Sequence, residues 1–381
     1  MTPPCVAHFR SSYLGLSETF IYEILTRLRR FRAIVLARHI LNRDAFPFEP
    51  IYRIDVAPFP YSLLGRLGLP EFALERYLMR LFRSERVRLL HAHFGPDGVT
   101  MLGIRKKTSL PLVTTFYGYD VSRHSLIQTM ADAYNRLFQE GDLFLVEGNC
   151  MKTRLIGLGC PPQKIRVQHI GVNLERLEYQ ERHIQSGSDV FNLLFCGRFV
   201  EKKGLIYALQ AVNEARKEVH GLKLRIIGDG EEKASIQRFI AENGLDNCVT
   251  LLGYQPHEVF FREMQRAHLL IQPSVTAADG DTEGGAPTVL LEAQACGLPV
   301  LSTHHADIPE IVKDGESGFL TPERDSHALA EKIVYLAKHP EKWAEMGRRG
   351  RMHVERHHHS VVQAGKLEDI YSTLFHYSNR D

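Results

Sequence analysis

Short apolar runs bounded by turn residues alternate with helical patterns along almost the whole chain, and few folds tolerate that alternation. A strand that is apolar on both faces must be covered on both sides, so repeated strand–helix units point to parallel sheets in an α/β architecture. In the first half the pattern predicts strands at CVAHF, AIVLA, VRLLHAHF, LVTTFY, LFLVE and IRVQHI, with helices beginning near Ser17, Gly98, Ser125 and Asn149. It restarts at FNLLFCGR, after the polar stretch HIQSGSDV, and runs on through LKLRIIGDG, CVTLLGY, LLIQPS and LPVLST. After Asp325 it is helical to the end. Three helices without an intervening strand cannot extend a sheet, so at least the last is expected to return to the first domain. The expected division is residues 1–185, joined by a C-terminal helix at about 360–381, and residues 186–359. A length of 381 residues also exceeds what one core usually fills. Two such doubly wound domains facing one another leave a crevice at the carboxyl ends of their strands, where open α/β sheets bind ligands.

The composition, 44% hydrophobic and 24% charged with no apolar run of bilayer length, predicts a soluble globular protein. No secretory signal is read at the N-terminus, and Cys5, Cys150, Cys160, Cys196, Cys248 and Cys296 follow no metal-binding or redox spacing. A cytoplasmic protein is expected, with the cysteines as core or turn residues. The His357-His358-His359 run lies in a helical region and is expected to serve surface or packing roles. The net charge of +2 hides an asymmetry: residues 1–190 hold 25 basic and 18 acidic residues, the remainder 22 and 27. Clusters such as LTRLRRFR, ERYLMRLFRSERVR and IRKK suit an anionic membrane surface at the inner face of the cell membrane, or solvated helix faces. No nucleic-acid motif accompanies them.

The segment Asp279–Thr303, DGDTEGGAPTVLLEAQACGLPVLST, concentrates the chemistry. Backbone amides of Gly284, Gly285, Ala286, Pro287-flanking residues and Thr288 can approach an anion closely, and a helix opening near Pro287 adds its positive end. That combination suits a diphosphate. Glu292, about one and a half turns into the helix, is placed to accept hydrogen bonds from vicinal sugar hydroxyls. Upstream, FNLLFC runs into Gly197-Arg198-Phe199-Val200-Glu201-Lys202-Lys203-Gly204, so that Arg198 and Lys203 fall between a strand end and a helix start. Two cations there can converge on one diphosphate, or be ordinary surface charge.

Taken together, Gly197-Arg198 with Lys203-Gly204, Ile227-Gly228-Asp229-Gly230-Glu231, Pro273-Ser274, and Glu283 with Glu292 followed by Ala293-Gln294-Ala295-Cys296-Gly297-Leu298-Pro299-Val300 resemble the retaining GT-B glycosyltransferases of family 4. The match holds in order and register over roughly residues 190 to 320. It departs in one place, since eight residues separate Glu283 from Glu292 where the family has seven. The resemblance implies the GT-B fold, Arg198 and Lys203 on the pyrophosphate with Gly197 beside them, Glu292 on the ribose and Glu283 near the donor sugar. No cofactor and no metal are implied; the nucleotide-diphosphate sugar is a substrate.

The first half resembles exopolysaccharide and lipopolysaccharide members of the family at Ser17-Glu18-Thr19-Phe20-Ile21. Ser17 is a good N-cap, and Ser17 and Thr19 are candidates for the acceptor side. His91 and His93 lie on one strand face, with His93 the preferred ligand contact and metal binding the less favoured reading. Thr114-Thr115-Phe116-Tyr117-Gly118-Tyr119-Asp120 aligns with the family's T-x-H-G-x-D, placing Tyr117 where the family has histidine and Asp120 on the acceptor side. A tyrosine is a poor general base at neutral pH. This fits a front-face mechanism in which the departing diphosphate takes the acceptor's proton and Arg198, Lys203, Glu283 and Tyr117 assist.

The expected function is transfer of a sugar, with retention, from a UDP- or GDP-sugar to a carbohydrate or lipid-linked oligosaccharide acceptor in cell-surface polysaccharide synthesis. A nucleotide-sugar epimerase or a sugar-binding protein on the same scaffold is the alternative. A nicotinamide-dependent oxidoreductase would need GxGxxG after the first strand, which CVAHFRSSYLGLSE lacks.

Overall fold

The computed structural model describes residues 3–55, 58–62, 70–183 and 190–377. The described chain forms two compact units. The first runs to Val121, resumes over Ser125–Gly171 and takes the chain up again from Ser360; the second holds Ser122–His124 and Val172–His359. The expected 185/186 boundary falls outside the described residues, and the chain changes unit earlier, after Gly171. The physical reason is that the connecting segment is tied to the second unit. The Gln180 amide donates to Cys296 O, Arg182 donates to Gln265 O and Cys296 O, and Arg351 donates to Leu177 O.

In the first unit the strands are β1 (Cys5–Phe9), β2 (Ser12–Tyr13), β3 (Arg32–Ala37), β4 (His39–Ile40), β5 (Ile51–Arg53), β6 (Val87–His93), β7 (Leu112–Thr115), β8 (Leu143–Val146) and β9 (Ile165–Val167). Seven of them form a parallel sheet in the order β5-β3-β1-β6-β7-β8-β9, while β2 and β4 pair as a separate two-residue ribbon. The second unit contains β10 (Phe191–Cys196), β11 (Leu222–Ile227), β12 (Val249–Gly253), β13 (Leu269–Gln272), β14 (Val300–Thr303) and β15 (Gly318–Thr321), in the order β12-β11-β10-β13-β14-β15. Both orders grow outward from the first strand and reverse beside it, which is the doubly wound arrangement, with topological switch points next to β1 and β10.

Apolar residues on both strand faces explain why each sheet is sandwiched. Phe9, Leu90, Phe116 and Phe144 join one core of the first unit, whereas Val6, Leu89, Val113 and Leu145 turn to the other face. That second face is covered by Leu367 and Tyr371 of the C-terminal helix Ser360–Tyr377, the return of the chain expected from the strandless helical tail. In the second unit Phe195, Leu209, Ile226, Ile271, Ile333 and Trp343 pack together. The six cysteines are unpaired, and no described helix is long and apolar enough to cross a membrane.

Candidate active site

In the second unit the site grows from the carboxyl ends of β10 and β13. Gly204 has a positive φ of 66°, and a Cβ there would stand 1.9 Å from Pro273 O, so only glycine lets the Lys203 turn lie against the Pro273-Ser274 segment. Gly228 is equally constrained by Gly197 O at 1.9 Å, which makes the Gly228-Asp229-Gly230 turn a device for close backbone approach. These contacts bring Lys203 to Glu283: Nζ lies 2.7 Å from Oε2, and Ser274 Oγ donates to Oε1 at 2.7 Å. The Glu283 amide donates to His305 Nε2 at 3.2 Å, and His305 Nδ1 donates to Glu323 at 2.7 Å, which fixes the imidazole tautomer. Burial alone would raise the Glu283 pKa, but Lys203 and Lys202 overcome it and hold the carboxyl below its ordinary 4.5.

Lys202, to which sequence reasoning gave no role, is buried and binds Asp281 Oδ1 at 3.0 Å and Thr282 O at 2.9 Å. The adjacent lysines thus have matched carboxylates. Arg198 is different: it is exposed and has no ion-pair partner among the described residues. The uncompensated positive charge of the loop is therefore Arg198, not Lys203, although the motif by itself weights the two equally.

The helix Thr288–Ala295 starts beside this group with Pro287 as its N-cap and no side-chain cap, so its first-turn amides are not met by a capping side chain. Of the loop amides, that of Gly284 donates to Thr282 Oγ1 at 3.1 Å, and Gly285 O accepts from the Asp307 amide. Ala286 and Pro287 are buried, and Thr288 is half-buried. Glu292 keeps partial exposure and has no hydrogen-bond or ion-pair partner among the described residues. Desolvation pushes its carboxyl up to about 7. Two carboxylates of one segment are thereby held in opposite states, Glu283 ionised and Glu292 poised to gain or lose its proton near neutrality.

In the first unit the expected contacts move inward. Asp120 is fully buried, and its carboxylate accepts the amides of Gly95, Tyr117 and Gly118 at 2.9, 3.1 and 2.9 Å. It clamps the β7 turn to the helix Gly95–Thr108 and faces no solvent. His93 is also fully buried, bonded through Nδ1 to Tyr117 Oη at 2.7 Å and through Nε2 to His8 Nδ1 at 3.0 Å. The expected direct contact by His93 is thus replaced by a supporting one, because β6 turns the imidazole into the sheet's own packing. Tyr117 lies against Phe20 and Phe94, and burial drives its phenol well above its ordinary pKa of 10. It can donate a hydrogen bond but not act as a neutral-pH base.

His8, His91 and His93 bring ring nitrogens within 4.8 Å of one another, the one such group among the described residues. His91 is bonded to Tyr371 Oη at 2.5 Å and Thr115 Oγ1 at 2.7 Å, so most of these nitrogens already have protein partners. Ser17 is exposed and does not cap the helix Thr19–Arg27; Glu18 is the N-cap residue, and Thr19 is the first helical residue. Glu18 instead holds Arg10 at 2.7 Å, while Asp97 holds the same guanidinium at 2.9 Å. Arg10 lies 4.4 Å from the Phe94 ring centroid. The loop from Arg10 to Leu16 at the carboxyl end of β1 was expected to meet an acceptor; the ion pairs that hold Arg10 there join residues far apart in sequence.

The second unit is thus a doubly wound domain whose strand ends carry a glycine-rich loop, a helix start without a side-chain cap and an arginine with no ion-pair partner among the described residues, features that suit an anion. Residues 17–176 match the family model Glycosyltransferase Family 4, and residues 179–353 match Glycosyl transferases group 1. The colanic acid biosynthesis glycosyltransferase WcaL of Escherichia coli is 32% identical over 292 residues, covering 76% of this chain and 71% of that protein. The amylovoran biosynthesis glycosyltransferase AmsK of Erwinia amylovora is 36% identical over 248 residues, 65% of this chain and 60% of the relative. The chain therefore spans about three fifths to seven tenths of the length of these curated relatives. Anabaena HepE, solved with UDP, superposes with a TM-score of 0.79 at 19% identity, covering 97% of this chain and all of that one. This chain belongs to the group 1, family 4 glycosyltransferases and has the GT-B fold.

Proposed function

We propose that the protein transfers a sugar from a UDP- or GDP-sugar to a carbohydrate or lipid-linked acceptor hydroxyl, with retention, in cell-surface polysaccharide synthesis. The observation that carries this reading is an exposed Arg198 with no ion-pair partner together with a Glu292 carboxyl that has no hydrogen-bond or ion-pair partner among the described residues. An anionic diphosphate answers the first and a ribose diol the second. In this mechanism Arg198 and the amides opening the helix Thr288–Ala295 stabilise the charge that grows on the departing diphosphate. Glu283, ionised and held by Lys203 and Ser274, directs the donor sugar's hydroxyls. Tyr117, buried with its phenol bonded to His93 Nδ1, acts on the acceptor side by supporting its neighbours. The acceptor's proton passes to the leaving diphosphate oxygen.

The exopolysaccharide setting is supported by WcaL and AmsK, and a nucleotide donor by the UDP held in HepE. The test is incubation of the purified protein with UDP- and GDP-sugars and a panel of lipid-linked saccharides, reading product by mass and anomeric configuration by NMR. A glycosidic product of unchanged anomeric configuration is expected, at a rate that survives EDTA. Nucleotide-sugar turnover to an isomerised donor without transfer would favour the epimerase. Binding without any turnover would favour the sugar-binding protein. A peripheral location at anionic membrane is supported only by the basic clusters, of which Arg30, Arg32, Arg105 and Lys107 already have ion-pair partners in their own unit.

A further inference from the structure

A cavity in the second unit lies toward the amino-terminal ends of β10 and β13, at the opposite end of the strands from Arg198. Its lining includes Arg182, Arg225, Arg262 and Arg266, together with Asn192 near the start of β10 and His268 just before β13. Arg198 follows the other end of β10, and six strand residues span about 20 Å. The space, about 760 Å³ and open on one side, has room for a small organic ligand.

Arg182 is the unusual wall. It is only 3% exposed, donates to Gln265 O and to Cys296 O at 2.9 Å, and has no carboxylate partner among the described residues. Its Nε–H is buried without a hydrogen-bond partner among the described residues. A buried cation whose charge is met only by neutral carbonyls is costly, and a second charge of opposite sign relieves that cost. The nearby carboxylates are already engaged. Glu263 is held by Arg225 at 2.5 and 3.1 Å and by Arg266 at 3.5 Å, while Arg262 is exposed and has no ion-pair partner among the described residues. Glu181 also lines the cavity, but it is held by Arg348 at 3.2 Å. Cations outnumber carboxylates around one concave space.

We propose that this cavity is a second anion site, separate from the donor site, that takes a small soluble diphosphate or sugar phosphate. Several guanidinium groups lining one space match phosphate oxygens through paired N–H donors, which chloride cannot use. The volume leaves room for a sugar or nucleoside on the phosphate.

The experiment is calorimetric titration of the full chain with inorganic pyrophosphate at fixed ionic strength, with sulfate and chloride as comparison anions. It is run on the wild type, on Arg198→Ala, on Arg262→Ala/Arg266→Ala and on Arg182→Gln. A pyrophosphate site that persists in Arg198→Ala and weakens at least tenfold in Arg262→Ala/Arg266→Ala is expected. Arg182→Gln should weaken it as well, and if that variant fails to fold the exposed pair still decides. Binding abolished by Arg198→Ala and untouched by the Arg262/Arg266 changes overturns the proposal. So does heat that follows ionic strength alone and is equal for all three anions.

Discussion

Replacing Lys203 by alanine tests whether the Lys203–Glu283 pair is structural as well as functional. Both side chains are largely out of solvent, 15% and 5% exposed, and the carboxylate has Lys203 as its close cation at 2.7 Å. Removing one partner of a buried pair leaves the other charge unmatched, at a cost of roughly 3–5 kcal/mol. Protonation sets an independent limit: at pH 7.5, about three units above the carboxyl's ordinary 4.5, taking up a proton costs about 4 kcal/mol. The two routes agree. For a domain of this size that is a fall in melting temperature of about 8–16 °C. The pH dependence has a definite sign. In the wild type the depressed Glu283 pKa gives stability that is present above 4.5 and lost as pH falls through the folded value. In Lys203→Ala burial raises that pKa instead, so the penalty grows as pH rises above 4.5 and the two proteins converge in acid. The assay is thermal unfolding from pH 4.5 to 8 for the wild type, Lys203→Ala and Lys203→Ala/Glu283→Gln, the last removing the orphaned charge and recovering most of the loss. A melting temperature for Lys203→Ala within about 2 °C of wild type at pH 7.5, or no recovery in the double variant, would refute the reasoning.

Arg198→Ala should behave in the opposite way, with turnover falling about a hundredfold or more and the melting temperature almost unchanged, because the side chain is exposed and unpaired; steady-state kinetics beside thermal unfolding check both halves. Nucleoside diphosphate affinity should rise with pH through about 7, since Glu292 must lose its proton before it can accept from both ribose hydroxyls. Glu292→Gln should bind about tenfold more weakly and flatten that profile, as calorimetry at pH 6 and pH 8 would show; an unchanged slope would place the ribose elsewhere. Asp120→Asn should cost about 1–3 kcal/mol of stability, because the amide can no longer accept from all three of Gly95, Tyr117 and Gly118, and urea unfolding measures it.

Much of the fold was legible because burial on both strand faces leaves a direct trace in residue type. The runs CVAHF, FNLLFC and LKLRII became β1, β10 and β11 with little change at their ends. The strands that escaped notice, Ser12–Tyr13, His39–Ile40, Ile51–Arg53 and Gly318–Thr321, are two to four residues long. In the helix Pro70–Glu85 the basic residues drew attention to surface charge ahead of the apolar stripe.

For the site, local order decided what could be read. Arg198, Lys203, Glu283 and Glu292 stand out because strand, loop and helix must follow one another in sequence to build a phosphate loop, and residue type at each step follows from that order. Partnership is another matter. That Lys203 is matched by Glu283 and Lys202 by Asp281, leaving Arg198 alone, depends on segments about eighty residues apart meeting through Gly204 and Pro273. That Asp120 and His93 face inward depends on which side of β6 and β7 the core covers, and the C-terminal helix with Tyr371 takes part in that decision. The sequence by itself determined the elements, their order and the charges available to the site. Only the tertiary structure decided which charges cancel and which remain, because desolvation and ion pairing act over a few ångströms of space between residues far apart in the chain.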